Sequence, residues 1–166
     1  MYVKPPTTTR EASDYQEKRI LRLLPTSFRQ SSNSGAGKIR KGDLFNNDWI
    51  IEAKTHMKPV SNHHVLYGDL KELRKHGLSA GKQTAYVFDF GFGTEVLYEL
   101  TRVEECVPVV CPEKLSFCKR VTYGLSFNAK KTITAFPKGN RREPEHFIKI
   151  HGSVYRIKLF DPKNYM

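Results

Sequence analysis

Cysteine is scarce in this chain of 166 residues, which has only Cys106, Cys111 and Cys118. An odd number without a secretory leader argues against a disulfide framework. The C-x4-C-x6-C spacing, even with His146 or His151 added, lacks the C-x2-C knuckle of a structural zinc site, so free thiols packed as small hydrophobes are expected. Long apolar runs are missing too, since nothing approaches the about 20 residues of a membrane span. The opening MYVKPPTTTREASD has no apolar stretch between a basic start and a cleavage site, so neither signal peptide nor anchor is expected, and the cytoplasm is the expected location. Acidic residues are the minority. With 17 of them against 28 Lys and Arg, the net charge is +11 and the pI about 9.6. Such a field suggests a polyanionic partner, although charge can also serve solubility alone.

What is present reads as one domain. The length suits a single core, and 39% hydrophobic with 11% aromatic residues is a globular composition. Charge is uneven: residues 1–60 carry +5, residues 61–113 carry −3 and residues 114–166 carry +9. The division expected is a core over about 11–105 followed by a basic, mainly β extension over about 106–166. No internal repeat or low-complexity tract interrupts it.

Periodicity gives the elements. After a loose arm, Tyr15, Ile20, Leu23 and Leu24 recur near helical spacing, with Ser13 or Asp14 as cap, until Pro25 stops the helix. Residues 26–42 are polar and read as a loop, or as a weak strand plus loop. Asp43-Leu44-Phe45, the Asn46-Asn47-Asp48 turn and Trp49 to Lys54 read as a β-hairpin, with Ile50, Glu52 and Lys54 on one face. A second helix is expected from Ser61 to Gly77, with Ser61 or Asn62 as cap, Val65, Leu66, Leu70 and Leu73 inward, and Gly77 as its stop. Thr84 to Phe90 and Glu95 to Leu100 follow as strands. Beyond Pro112 a short helix over 113–121, a strand over 131–136 and a hairpin of 146–150 with 153–160 are expected.

Chemistry concentrates at Asp43 and Glu52-Ala53-Lys54. Two carboxylates on the two strands of a hairpin can converge on one divalent cation, and Mg²⁺ needs only one or two carboxylates besides water and substrate oxygens. Lys54, two residues beyond Glu52 on the same face, can orient or deprotonate an attacking water or stabilise a pentavalent phosphate. Ala53 points into the core and offers its carbonyl as a further ligand. The bland alternative is a strand bearing an ion pair. Against it, the strand is otherwise apolar, and ionic groups at its end call for a partner.

These residues resemble the PD-(D/E)xK nuclease superfamily and, within it, Holliday junction resolvases of archaeal and phage type. Carrying the resemblance are Tyr15-Gln16-Glu17-Lys18-Arg19, similar to the F-E-R-x-L segment of the first helix, and Arg29 with residues 31–35, similar to an R-x-x-G-S loop. Gly42-Asp43-Leu44 stands where P-D-I usually stands, and Ile51-Glu52-Ala53-Lys54 is the E-x-K strand. The resemblance spans about residues 15–93, with glycine replacing the usual proline at position 42. It implies a restriction-endonuclease-like αβββαβ core with a mixed central sheet. It further implies Asp43, Glu52 and Ala53 as ligands of Mg²⁺ or Mn²⁺, Lys54 as the catalytic lysine, Glu17 as an additional acid, and the 31–35 loop, Ser34 included, as a substrate clamp beside Arg29. The activity implied is structure-selective cleavage of branched DNA by a homodimer, in the cytoplasm of a bacterial host if phage-encoded.

Lys38, Arg40 and Lys41 stand just before Asp43, where they can hold phosphates, and Lys58 follows the E-x-K strand as a further DNA contact. His56, His63 and His64 near it read as surface residues. Gly35-Ala36-Gly37-Lys38 has only part of a nucleotide-binding loop, so no nucleotide cofactor is expected. The rival readings are another DNA nuclease of the same superfamily, acting on ends or single strands, and a non-catalytic basic DNA-binding module. An RNA-binding protein is disfavoured by the lack of a stacking motif.

Overall fold

A computed structural model of the chain describes residues 3–31, 43–94, 96–103, 125–127, 132–135, 145–150 and 153–166. The first helix, α1 (Thr9–Leu23), begins earlier than its apolar pattern suggests. Thr8, not Ser13 or Asp14, is the cap: its Oγ1 accepts from the Glu11 N–H at 3.1 Å, and the Glu11 carboxylate accepts from the Thr7 N–H at 2.8 Å. The first bond satisfies a donor that the helix leaves open, and the second ties the residue before the cap to the first turn. The buried stripe is Ala12, Gln16 and Ile20, whereas Leu23 is 51% exposed. Leu24 is extended, as the residue before a proline must be, and Pro25 ends the helix.

Strands β1 (Arg29–Gln30), β2 (Leu44–Phe45) and β3 (Trp49–Lys54) form an antiparallel meander. The hairpin turns where expected because the Asn46 side chain staples it, its Oδ1 accepting from the N–H groups of Asp48 (2.9 Å) and Trp49 (2.8 Å). After β3 the chain makes β4 (His63–Leu66) and then α2 (Tyr67–Ala80). The helix expected from Ser61 is thus a strand for its first turn. His63 and Val65 are buried while His64 and Leu66 are exposed, a period of two, and the strand pairs with β8 (Thr132–Ala135), almost 70 residues away. Leu66 therefore points outward, not inward. Gly77 is not the stop either. Gly81, at φ 67°, caps the helix in the left-handed conformation, while Gly77 lies inside it, packed against Thr84 and the Lys82 carbonyl.

The crossover through α2 returns the chain to β5 (Gln83–Phe88), which pairs parallel to β3 from Trp49↔Gln83 to Lys54↔Phe88. β5 ends two residues short of the expected Phe90, and β6 (Tyr98–Val103) begins three residues later than expected. β7 (Leu125–Phe127), β9 (Glu145–Ile150) and β10 (Ser153–Leu159) complete the strands, before a terminal 3-10 helix, Pro162–Tyr165. Seven strands lie in one mixed sheet in the order β1-β2-β3-β5-β6-β10-β9, and β4-β8-β7 form a second. The basic C-terminal stretch thereby adds strands to both. The expected helix at 113–121 and all three cysteines lie outside the described residues.

The large sheet is covered on both faces. Ile51, Ala53, Ala85 and Val87 pack with Ile20 of α1 and with Leu24 just beyond it, while Ile50, Tyr86 and Phe88 pack with Leu70 and Leu73 of α2 and with Val65. Tyr165 closes the α1 side against Trp49 and Phe28, its hydroxyl donating to the fully buried Glu99 at 2.6 Å. The protein is a mixed α/β structure. Among the described residues no helix is long and apolar enough to cross a membrane.

Candidate active site

The site is built at the end of β3, where the hairpin, α1 and the end of β5 meet. Asp43 precedes β2. Its N–H donates to the Ile51 carbonyl (2.9 Å), and its Oδ2 accepts from the Ala53 N–H (2.8 Å), so the carboxylate is held against the Glu52–Ala53 stretch. Alternation buries Ala53 and leaves Glu52 and Lys54 half-buried on the other face. Lys54 Nζ lies 3.4 Å from Glu52 Oε1. Glu17 projects from α1 and shares the Gln30 side-chain amide with Asp14, at 3.3 Å and 3.1 Å.

Three carboxyls in this corner hold their protons more tightly than usual. Burial, then the Asp43 charge, pushes Glu52 up to about 7, with Lys54 pulling the other way. Glu17 is likewise pushed up to about 7 by burial and by Asp43, with smaller contributions from Asp14 and Glu52. Asp43 is raised by burial against the pull of the Ala53 N–H and of Lys54. One ammonium faces several acids, which is the electrostatic setting in which a divalent cation binds well. The donors are all oxygens, a hard set that fits Mg²⁺ or Mn²⁺. Among the described residues no three His, Cys, Asp or Glu side chains are drawn together tightly enough to enclose an ion. The set available at the hairpin is therefore two carboxylates, Asp43 and Glu52, with the Ala53 carbonyl, while Glu17 lies close enough to feel the charge of both.

Of the residues singled out from sequence, Glu17, Asp43, Glu52, Ala53 and Lys54 come together. Arg29 does not join them. It pairs with Phe45 at the turn end of the hairpin and lines a cleft of about 510 Å³ with Asn46 and Lys82. Lys58 is exposed in the loop after β3. Ser34, Lys38, Arg40 and Lys41 lie outside the described residues.

Two clusters escaped the sequence reading. His63 is not a surface residue: at 4% exposure it stacks on Phe88, and its ring nitrogens lie 2.9 Å from His56 Nε2 and 2.8 Å from the Tyr86 hydroxyl. Its place on a strand, rather than at a helix start, put it inside. The second cluster is Gln16 with Asp89, each 1% exposed. The signal for Gln16 was its position midway between Ala12 and Ile20 at helical spacing. For Asp89 it was a lone carboxylate within the apolar run TAYVFDF.

Comparison of the chain with protein-family models, with characterised proteins and with solved structures gives no match.

Proposed function

We propose that this protein is a metal-dependent endodeoxyribonuclease of the PD-(D/E)xK type, acting on branched DNA and, above all, on four-way junctions. The observation that carries the reading is the convergence of Asp43, Glu52 and Lys54 at one end of β3, with Asp43 raised by burial and Glu52 by burial and by Asp43. The order α1-β1-β2-β3-β4-α2-β5, with β5 parallel to β3, supports it as a restriction-endonuclease-like αβββαβ core in which β4, paired in the second sheet, is an insertion between β3 and α2. The resemblance of residues 15–93 supplies the junction preference and the homodimer that would incise two symmetric strands, and the excess of basic residues suits a DNA partner.

On this reading Asp43, Glu52 and the Ala53 carbonyl hold Mg²⁺ or Mn²⁺. Bound there, the cation acidifies a water and neutralises charge on the phosphate. Lys54, 44% exposed and 3.4 Å from Glu52, would orient the attacking water or a phosphate oxygen with its ammonium. Glu17, whose carboxyl burial and Asp43 push up to about 7 in the metal-free chain, is suited to give or take a proton at the same corner. Water attacks phosphorus in line, the P–O3′ bond breaks, and the products are a 5′-phosphate and a 3′-hydroxyl. DNA of the cell or of an infecting phage, in the cytoplasm, is the substrate pool this reading implies.

The 3.4 Å Glu52–Lys54 ion pair also suits a rival, a basic DNA-binding module whose pair is only structural. Cleavage separates the two. Labelled four-way junction, fork and linear duplex are incubated with Mg²⁺ or EDTA, using the wild-type protein, Asp43→Ala and Lys54→Ala. Symmetric nicks on the junction alone, requiring metal and abolished in both variants, are expected. Binding to all three substrates with no cutting in Mg²⁺ or Mn²⁺ sinks the nuclease and leaves the module.

A further inference from the structure

Gln16 is an unusual occupant of a helix stripe whose other members are Ala12 and Ile20. Its Nε2 donates to the Lys54 carbonyl at 2.6 Å and to Asp89 Oδ2 at 3.2 Å. Both neighbours are acceptors, so the amide can face them only with its nitrogen. The other end, Oε1, is buried and accepts no hydrogen bond from the described residues. Asp89 is in turn fixed from several sides. Its Oδ1 accepts from the Thr55 hydroxyl (2.6 Å) and the Gly91 N–H (2.8 Å), its Oδ2 lies 4.0 Å from the Arg19 guanidinium, and its N–H donates to the same Lys54 carbonyl at 3.3 Å.

The result is a pin through three elements. It joins α1 to the last residue of β3 and to the first residue past β5. The Lys54 carbonyl receives two of its hydrogen bonds, and the residue after Gln16 is Glu17. A methionine or leucine at position 16 would fill the space without leaving an unpaired oxygen, so packing alone does not call for glutamine. What the amide does that an apolar side chain cannot is fix the backbone of Lys54 against the helix that carries Glu17. We propose that Gln16 is a positioning residue, setting the separation of the Lys54 ammonium and the Glu17 carboxyl across the site, with Asp89 as its anchor. This rests on the reading of Lys54 and Glu17 as working groups of a nuclease.

The test compares wild type with Gln16→Met, which keeps length and volume but has no amide. Ile20→Val, a cavity variant one turn along the same stripe, controls for lost stability. Three quantities are measured: the single-turnover cleavage rate on a four-way junction in Mg²⁺, junction affinity in EDTA, and the thermal midpoint. With all three proteins held well below their midpoints, Gln16→Met is expected to cleave roughly tenfold to hundredfold more slowly, the scale of loss when reacting groups are misplaced by about 1 Å. Its junction affinity should be unchanged, and Ile20→Val should keep the wild-type rate. Should Gln16→Met not fold, Asp89→Asn, of the same size, loosens the same pin and must show the same split of rate from affinity. A wild-type rate per folded molecule in both pin variants, whatever their midpoints, makes Gln16 merely structural and overturns the proposal. An inactive wild type removes the nuclease reading, and this inference falls with it.

Discussion

Replacing Glu52 by glutamine should raise the stability of the metal-free protein at alkaline pH and remove much of its pH dependence. Glu52 is buried beside Asp43, and its carboxyl is pushed from 4.5 up to about 7 in the folded chain. A carboxyl that holds its proton more tightly when folded stabilises the fold fully below pH about 4.5, and that contribution is lost as pH rises through about 7. The difference of about 2.5 units corresponds to roughly 3 kcal/mol. With only 26% of the side chain exposed, solvent screening removes little of this. For a chain of this size the loss amounts to roughly 6 to 12 °C in melting temperature between pH 4.5 and pH 8. Glu17 adds a contribution of the same sign, weaker because it is only partly buried.

The assay is urea or thermal unfolding of wild type and Glu52→Gln in EDTA from pH 4.5 to pH 8.5, read as the difference between the two curves so that titrating groups remote from Glu52 cancel. That difference should grow through pH 5 to 7 in favour of the glutamine. A divalent cation binds the ionised acids and so should restore wild-type stability at pH 8. At a concentration 100 times its dissociation constant the gain is about 2.7 kcal/mol. At pH 5, where Glu52 and Glu17 are protonated, the gain should nearly vanish. A difference curve flat in pH, or a Mg²⁺ effect equal at pH 5 and 8, would refute the coupled-acid account of the site.

Other outcomes follow from single residues. Burial, with the charges of His56, His64 and Lys54, depresses His63 from 6.5 to about 4, so its contribution is complete above pH 6.5 and is lost as pH falls toward 4. The loss is roughly 3 kcal/mol, and His63→Gln should flatten that acid limb in urea titrations at pH 4.5 and 7. Gly77→Ala, which in an open helix would stabilise, should here cost about 1 to 3 kcal/mol, because the new Cβ lies 2.8 Å from the Lys82 carbonyl oxygen and also strikes Thr84. A melting temperature at or above wild type would contradict this packing. Glu99→Ala leaves the Tyr165 hydroxyl, the Asn164 amide and the Asp161 N–H without their common acceptor. It should destabilise by about 3 kcal/mol or more and raise Trp49 solvent accessibility, read by fluorescence quenching.

Much of the site was legible because its chemistry is local. Asp43, Glu52 and Lys54 sit on one hairpin whose turn is marked by Asn46-Asn47-Asp48, and strand alternation alone decides which side chains share a face. Glu17 needed the additional inference that the first helix packs beside that hairpin. What was illegible depended on distant partners. His63 to Leu66 became a strand through pairing with Thr132 to Ala135, and nothing within ten residues of His63 announces that partner. The helix cap was misplaced because the apolar pattern starts at Tyr15, whereas Thr8 and Glu11 carry the signal one turn earlier. Gln16 looked like a polar residue among apolar neighbours, and only the arrival of Lys54 and Asp89 from 38 and 73 residues away gives it partners.

Several costly features of this molecule gather in one corner. Glu17, Asp43 and Glu52 hold raised proton affinities, Gln16 has a buried oxygen without a hydrogen-bond partner among the described residues, and Asp89 is buried with its Oδ2 4.0 Å from the Arg19 guanidinium. All stand where β3 and β5 end. That end is common to the two parallel strands, and in sheets built through a helical crossover it is where backbone and helix open a crevice for ligands. A fold selected for stability alone would fill this corner with apolar residues. Glu52→Gln and Gln16→Met probe the corner from opposite directions. The first should relieve electrostatic cost at alkaline pH and abolish metal-linked stability, whereas the second should leave metal-linked stability in place while cleavage slows. If both variants instead moved stability and activity in parallel, the corner would be a structural joint, and the concentration of its costs would have no functional reading.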